Sequence, residues 1–201
     1  DAKELERILD SVRGKVGSAE EPRKPRRESA PALFDLTSLQ REANRKFGFS
    51  ARRTLQAAQR LYEQHKVLTY PRTDSRCLPN DYVGHVQNVL GKLNQGGVYN
   101  QPAKFLLKNG LQNQKKVFDD SKVSDHFAII PTENMPTVEL SGDDQRVYDL
   151  VMRRFLAAFY PPAVWIEVER ITKVEKENFR TRSRYLNDPG WYEVYGKEGE
   201  D

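Results

Sequence analysis

Apolar residues recur at helical spacing along much of this chain, punctuated by glycine and proline. Leu5, Ile8, Leu9 and Val12 make one such face, so residues 1–12 read as an amphipathic helix that Gly14 and Gly17 end. Leu36, Leu39, Ala43 and Phe47 mark a second helix, with Gly48 placed as its C-terminal stop. Ser50 can cap a third, whose Leu55, Ala58, Leu61 and Tyr62 share a face up to about His65. Residues 81–93 carry Tyr82, Val83, Val86 and Leu90, and a shorter helix around 103–108 is bracketed by Gly96, Gly97 and Gly110. The clearest pattern is 143–159, with Val147, Leu150, Val151, Arg154, Phe155 and Ala158 along one side before Pro161 and Pro162 stop it.

The remaining segments read as extended. Residues 15–27 are charged and broken by Pro22 and Pro25, which suits an exposed edge strand or loop. Residues 29–32 look like a boundary. Val67-Leu68-Thr69-Tyr70 is a short strand-like run halted by Pro71, and Phe127-Ala128-Ile129-Ile130 is a compact apolar run, extended and buried. Residues 164–169 alternate as a strand, Asn187 to Gly190 forms a turn, and Tyr192-Glu193-Val194-Tyr195 supplies another short strand. The fold class is therefore α+β, with a mainly helical middle and mainly extended ends.

Composition narrows the classes. The 201 residues are 37% hydrophobic and 31% charged, polar but able to bury a core. No apolar run approaches the roughly 18 residues of a membrane-spanning helix, and no secretory signal opens the chain. Cys77 is the only cysteine, which excludes an intrachain disulfide framework or a zinc site built on cysteine pairs. The expectation is a soluble, cytoplasmic protein. Lysine plus arginine number 33 against 29 acidic residues, a formal charge of +4. Arg23, Lys24, Arg26 and Arg27 cluster, and Arg52, Arg53 and Arg60 share one helix; both suit a nucleic-acid partner, although a solvated basic face gives the same sum.

The chemistry concentrates in Leu68-Thr69-Tyr70-Pro71-Arg72-Thr73-Asp74-Ser75. Pro71 disfavours helical geometry for Tyr70, and in an extended chain residues two apart share a face, which sets Arg72 beside Tyr70. A free phenol ionises at a pKa of about 10, so it attacks phosphate only where a neighbouring cation favours the developing charge. A guanidinium suits that task because its planar fork donates two parallel hydrogen bonds to phosphate. A bare Tyr-x-Arg pair is as well explained by a half-buried strand tyrosine and a surface charge; the full octapeptide is far more specific. Cys77 has no signature of a nucleophile and reads as a small spacer, and Tyr62, Tyr99 and Phe105 offer ring faces to bases or to the core.

Thr69-Tyr70-Pro71-Arg72-Thr73-Asp74-Ser75-Arg76 closely resembles the active-site tyrosine motif of type IA DNA topoisomerases, with a proline after the tyrosine as in the topoisomerase III branch. Leu33-Phe34-Asp35-Leu36, Leu39-Gln40-Arg41-Glu42-Ala43-Asn44, Phe47-Gly48-Phe49-Ser50-Ala51 and Ala58-Gln59-Arg60-Leu61-Tyr62-Glu63 resemble the family's lead-in. Asp125-His126-Phe127-Ala128-Ile129-Ile130-Pro131-Thr132 resembles a second motif, and Arg153-Arg154-Phe155-Leu156-Ala157 and Gly190-Trp191 resemble later landmarks, in the family's order.

The resemblance implies that Tyr70 attacks a phosphodiester of single-stranded DNA, forming a 5′-phosphotyrosyl link. Arg72 would hold the scissile phosphate, and His126 would contact it or the adjoining backbone. Thr73, Asp74 and Ser75 could add DNA contacts, although such side chains also cap turns; Gln59 and Arg60 could line the DNA path. Residues 36–160 would be the tyrosine-bearing domain, inserted in a hinged β-rich arch made by 1–35 and 161–201, with 28–35 and 160–164 as hinges. The family's magnesium-binding toprim domain has no counterpart here, since no Asp-x-Asp-x-Glu run occurs. The Mg2+ would thus be held by the absent domain and the partners would be single-stranded DNA and the rest of the same polypeptide. The fragment alone would be inactive and bind DNA weakly. A non-catalytic single-strand-binding module is the alternative. A recombinase, which would need its tyrosine late in the chain behind an arginine–histidine set, fits poorly, as does a relaxase, whose His-x-His motif the scattered His65, His85 and His126 do not supply.

Overall fold

The computed structural model describes residues 2–140 and 142–196. They divide into two compact units, one formed by 1–28 with 162–189 and the other by 29–161 with the chain from Gly190.

The first unit is a helix and an antiparallel sheet. Helix α1 spans Ala2–Val12 and has no buried residue. Strands β1 (Ser18–Glu20) and β2 (Arg23–Glu28) pair with successive stretches of β3 (Ala163–Val174), and β4 (Glu177–Asp188) pairs with all of β3. The charged 15–27 segment thus supplies β1 and most of β2, with Pro25 tolerated because β2 lies at the edge. Gly17 is required by close approach: a Cβ there would stand 2.6 Å from Val174 Cγ2 and 2.7 Å from the Lys173 carbonyl. A bulge at Val164/Trp165 shifts the β3–β4 register.

The second unit is mainly helical. Its helices are α2 (Leu36–Phe47), α3 (Ala51–Glu63), α4 (Val83–Leu93), α5 (Asn100–Asn109), α6 (Gln114–Val117) and α7 (Gly142–Ala158); α2 and α3 pack on α7, and α4 packs on α5. Asp35 and Ser38 form a capping box at the start of α2, and Gly48 closes it in the left-handed region at φ 66°. Ser50 caps α3 by accepting from the Arg53 N–H. Helix α7 is buried along almost its whole circumference, with Val147, Tyr148, Leu150, Val151, Met152, Phe155 and Leu156 inside. Phe34, Phe49, Phe155, Phe159, Leu61 and Ile129 are among the largest fully buried side chains. No helix among the described residues is long and apolar enough to cross a membrane.

One expectation changes. Residues 192–195 are not a strand but one helical turn, α8 (Tyr192–Tyr195). Trp191, Val194 and Tyr195 are the buried residues there, the i, i+3, i+4 set that a short run of alternating letters cannot reveal. Residues 29–35 and 190–196 cluster with the helical unit. Leu33 and Phe34 enter its core, and Tyr195 donates to Glu42 (2.7 Å) and accepts from the buried Arg154 (2.5 Å).

Candidate active site around Tyr70

The Tyr70 segment is irregular chain fastened at many points. The Thr69 N–H donates to the Ile130 carbonyl, while its Oγ1 donates to the Ala128 carbonyl and accepts from the Ile130 N–H, all within 3.0 Å. The Val67 carbonyl accepts from Thr132, and the Thr73 carbonyl accepts from Leu36 at the start of α2, each at 3.0 Å. Thr73 Oγ1 donates to the His126 carbonyl (3.2 Å) and accepts from the Ser75 N–H (3.1 Å). Ser75 Oγ donates to the Lys122 carbonyl at 2.7 Å. These buried hydroxyls satisfy backbone groups that no regular ladder serves.

Burial alternates through the segment. Pro71, Thr73 and Ser75 are buried, whereas Arg72, Asp74 and Arg76 are exposed and Tyr70, in the same register, is half-buried. Extended chain thus separates two jobs: odd positions bind the fold and even positions face outward.

The Tyr70 ring lies against two others. His126, exposed, stacks at a tilt with ring centroids 4.3 Å apart, and Tyr62 of α3 meets Tyr70 edge-on at 5.4 Å. Lys66, at φ 59°, carries its ammonium 5.9 Å from the Tyr62 ring. Arg72 has no hydrogen bond or ion pair among the described residues, which leaves its five donors available. Arg76 is tied down: its Nε donates to Asp35 Oδ2 at 2.7 Å. Burial alone would raise the Asp35 carboxyl, but hydrogen bonds from Ser38 and Arg76 outweigh it and hold the group below the ordinary carboxylate range. The capping residue of α2 therefore also anchors the end of the tyrosine segment.

The other residues singled out from sequence divide. Tyr70 and His126 come together, with the Thr73 hydroxyl bridging to the His126 carbonyl. Thr73 and Ser75 are inside and structural, while Asp74 is exposed. Gln59 is half-buried on α3; its neighbour Arg60 grips Asp144 of α7 through Nε and Nη2 at 3.0 and 2.5 Å, and Arg53 grips Asp143 at 2.6 and 2.7 Å. Tyr99 donates to Asp149 (2.7 Å) and Phe105 stacks on Tyr160 at 4.7 Å, so both rings serve the fold. Burial pushes the Cys77 thiol up, away from the thiolate a nucleophile needs. The contact of Tyr62 with Tyr70 and the anchoring of Arg76 by Asp35 were not legible in the sequence, which shows no spacing that would join them.

Among the described residues, the paired carboxylates do not fit a magnesium site. Asp119 receives Lys122 and Ser121, Asp120 receives Asn80, and Asp143 and Asp144 are spent on arginines. Among the described residues no group of three or more His, Cys, Asp or Glu converges as metal ligands would.

The sequence profile of the DNA topoisomerase family matches residues 1–201. DNA topoisomerase 3 of Bacillus thuringiensis (strain Al Hakam) is 46% identical over 180 residues, covering 89% of this chain and 25% of the relative. DNA topoisomerase 3 of Bacillus subtilis (strain 168) is 42% identical over 198 residues, covering 97% and 27%. The chain thus spans about a quarter of the length of these relatives. The full-length topoisomerase I of Thermotoga maritima shares the fold, with a TM-score of 0.67 at 22% identity over 99% of this chain and 32% of that one. With a profile match along its whole length, relatives named topoisomerase 3 and this fold, the chain belongs to the type IA DNA topoisomerase family and is most like its bacterial topoisomerase III branch.

Proposed function

We propose that this chain is the nucleophile-bearing part of a larger topoisomerase and that Tyr70 attacks a phosphodiester of single-stranded DNA. The observation that carries this reading is the outward face of the tyrosine segment: a half-buried phenol braced by His126, with an exposed, unengaged Arg72 in the same register. Tyr70 Oη forms a bond to phosphorus as the bond from phosphorus to the 3′-oxygen breaks. The phenolic proton is lost and the departing 3′-oxygen gains one, so protons balance. One phosphodiester replaces another, which lets the step reverse and reseal the strand. Arg72 supplies paired donors to the non-bridging oxygens as their charge grows, and His126 contacts the same phosphate or the adjoining backbone. Asp74, Gln59 and Arg60 are DNA contacts in this reading only where they extend that face; Thr73 and Ser75 support it from behind.

The sheet unit is the arch, the helical unit the tyrosine domain, and residues 28–35 and 160–164 the hinges through which the whole enzyme would part its gate and pass a second strand. Magnesium use and the other half of the cleft belong to residues outside this chain, which is inactive without them, and a cytoplasmic location goes with that role. The test is covalent trapping. A 3′-labelled single-stranded oligonucleotide is incubated with the chain in magnesium-containing buffer, with and without the separately supplied remainder of the polypeptide, then denatured. The expected result is a labelled adduct that needs both parts and disappears in Tyr70→Phe. DNA binding with no adduct, despite proven association of the parts, would replace this reading with the non-catalytic binding module.

A further inference from the structure

The sheet unit carries a feature that the tyrosine chemistry does not use. Arg180, Arg182 and Arg184 alternate along β4, and strand pairing sets them on the face that also bears Glu167 and Glu169 of β3 and Lys24 and Arg26 of β2. Glu169 receives Arg182 at 3.0 Å and Arg180 at 3.5 Å, and Glu167 receives Arg26 at 3.2 Å. Two carboxylates thus serve a larger set of cations, and Arg180, Arg182 and Arg26 keep 61, 72 and 72% of their side-chain surface in water. Glu20 lies opposite Ile171 on this face, Lys173 lies beyond it, and Glu28 stands at the opposite end. Between these ends is a trough of about 620 Å³ lined by Pro22, Lys24, Glu167, Glu169, Arg182 and Arg184.

We infer that this face is a docking surface for the phosphate backbone of duplex DNA, separate from the single-strand chemistry at Tyr70. The inference rests on the reading that the protein works on DNA and adds a second contact of different form. Charge complementarity points to a polyanion. Spacing points to a regular one: alternate residues of a strand lie about 6.8 Å apart, close to the axial rise of two nucleotides along one strand of B-form DNA. The aromatic distribution points to duplex over single strands, which are held largely by base stacking on exposed rings. The cationic face has no such ring. Trp165 is 6% exposed and the Arg184 guanidinium lies 4.4 Å over it, whereas the exposed Phe179 and Tyr185 fall on the opposite face. What this surface offers is donors in a row, which fits backbone contact without sequence reading.

The experiment is equilibrium binding of a short blunt duplex, and of one of its strands, to the whole chain across a salt series. Wild type should prefer the duplex. Replacing Arg180, Arg182 and Arg184 together by glutamine should weaken duplex binding at least tenfold at low salt. It should also flatten the plot of log affinity against log salt by about 2–3, since each neutralised phosphate contributes about 0.9. Lysine at the same positions should restore most of the slope, which keeps charge loss apart from a folding defect, and circular dichroism should be unchanged. Glu167→Gln with Glu169→Gln should tighten binding, because it frees the arginines that those carboxylates occupy. An unchanged affinity and slope in the glutamine triple variant would overturn the inference. So would an equal arginine dependence for the single strand, or competition by polyglutamate as strong as by DNA, which would mark an acidic protein as the partner. Adduct trapping in the same triple variant separates the two readings. An adduct that persists there and is lost in Tyr70→Phe upholds Tyr70 whatever the duplex result.

Discussion

The helical unit and the sheet unit hold themselves together by different means. In the first, α7 is enclosed by apolar side chains, and even its one buried cation, Arg154, is sandwiched between the Phe34 and Tyr195 rings at 4.1 and 4.7 Å. In the second, β2 and β4 are exposed almost throughout, and the strands are joined by backbone pairing with arginine–carboxylate pairs laid across them. The first kind of surroundings holds the Tyr70 segment at many points; the second leaves rows of charged side chains in water. The same type of substitution should therefore have unequal consequences in the two units.

The largest contrast is between phenylalanines. Phe155 is fully buried and meets Phe159 edge-on at 5.6 Å, so Phe155→Ala should cost about 4 kcal/mol in urea denaturation. Phe179, 41% exposed on β4, should cost about 0.5 kcal/mol or less when changed to alanine. Arginines come next. Arg154 donates to the Ala32 carbonyl and Tyr195 and stands 3.9 Å from Glu42, so Arg154→Ala strands buried partners and should cost about 3 kcal/mol. Arg26→Ala, in an exposed pair, should stay within about 0.5 kcal/mol while reducing duplex affinity.

A smaller effect reverses the pattern. At Gly17 the sheet unit is tight, and Gly17→Ala should cost about 1–2 kcal/mol because β1 must back away from the Lys173 backbone. Protein hydrogen exchange of β1 amides would report it. The smallest is set by pH. Asp35 and Glu42 both sit below the ordinary carboxylate range in the folded chain: burial would raise each, and the hydrogen bonds of Ser38 and Arg76, or of Tyr195 and Arg45, more than offset it. A depressed folded pKa adds stability above the unfolded value of about 4, and that stability is lost as pH falls through the folded value. Asp35→Asn retains a capping oxygen but no charge. It should lower stability by about 1 kcal/mol at pH 7, a difference that closes towards pH 3 in urea midpoints.

Much of this was legible in the sequence because its signals are local. The stop at Gly48, the cap at Ser50 and the long apolar stripe of α7 each need only a few neighbouring residues to be read. The tyrosine motif was legible for a different reason: Pro71 and period-two alternation together say which residues share a face. What escaped notice depends on residues distant in the chain. The buried duties of Thr73 and Ser75 arise from carbonyls at 126 and 122, and Arg60 is claimed by Asp144 from another helix. Residues 192–195 look like strand until Arg154 and Glu42 are seen waiting for Tyr195. The arginine row of β4 was visible as letters, but its meaning depends on the register that sets Glu167 and Glu169 against it.

The pairing of β2 with β3 has a kinetic consequence. Arg23 lies opposite Val168 and Glu28 opposite Ala163, so this edge joins stretches of chain separated by the whole helical insertion. The β3–β4 hairpin turns tightly between Val174 and Glu177 and can form early from local contacts. The β2 edge cannot, because closing so long a loop in an unstructured chain carries an entropic penalty that only later contacts offset. Once residues 29–161 have collapsed, the loop they form is already closed, and the last strand has only to zip into place. The insertion that carries Tyr70 thus acts as a timing element: by this loop-closure argument, completion of the sheet waits on folding of the helical unit.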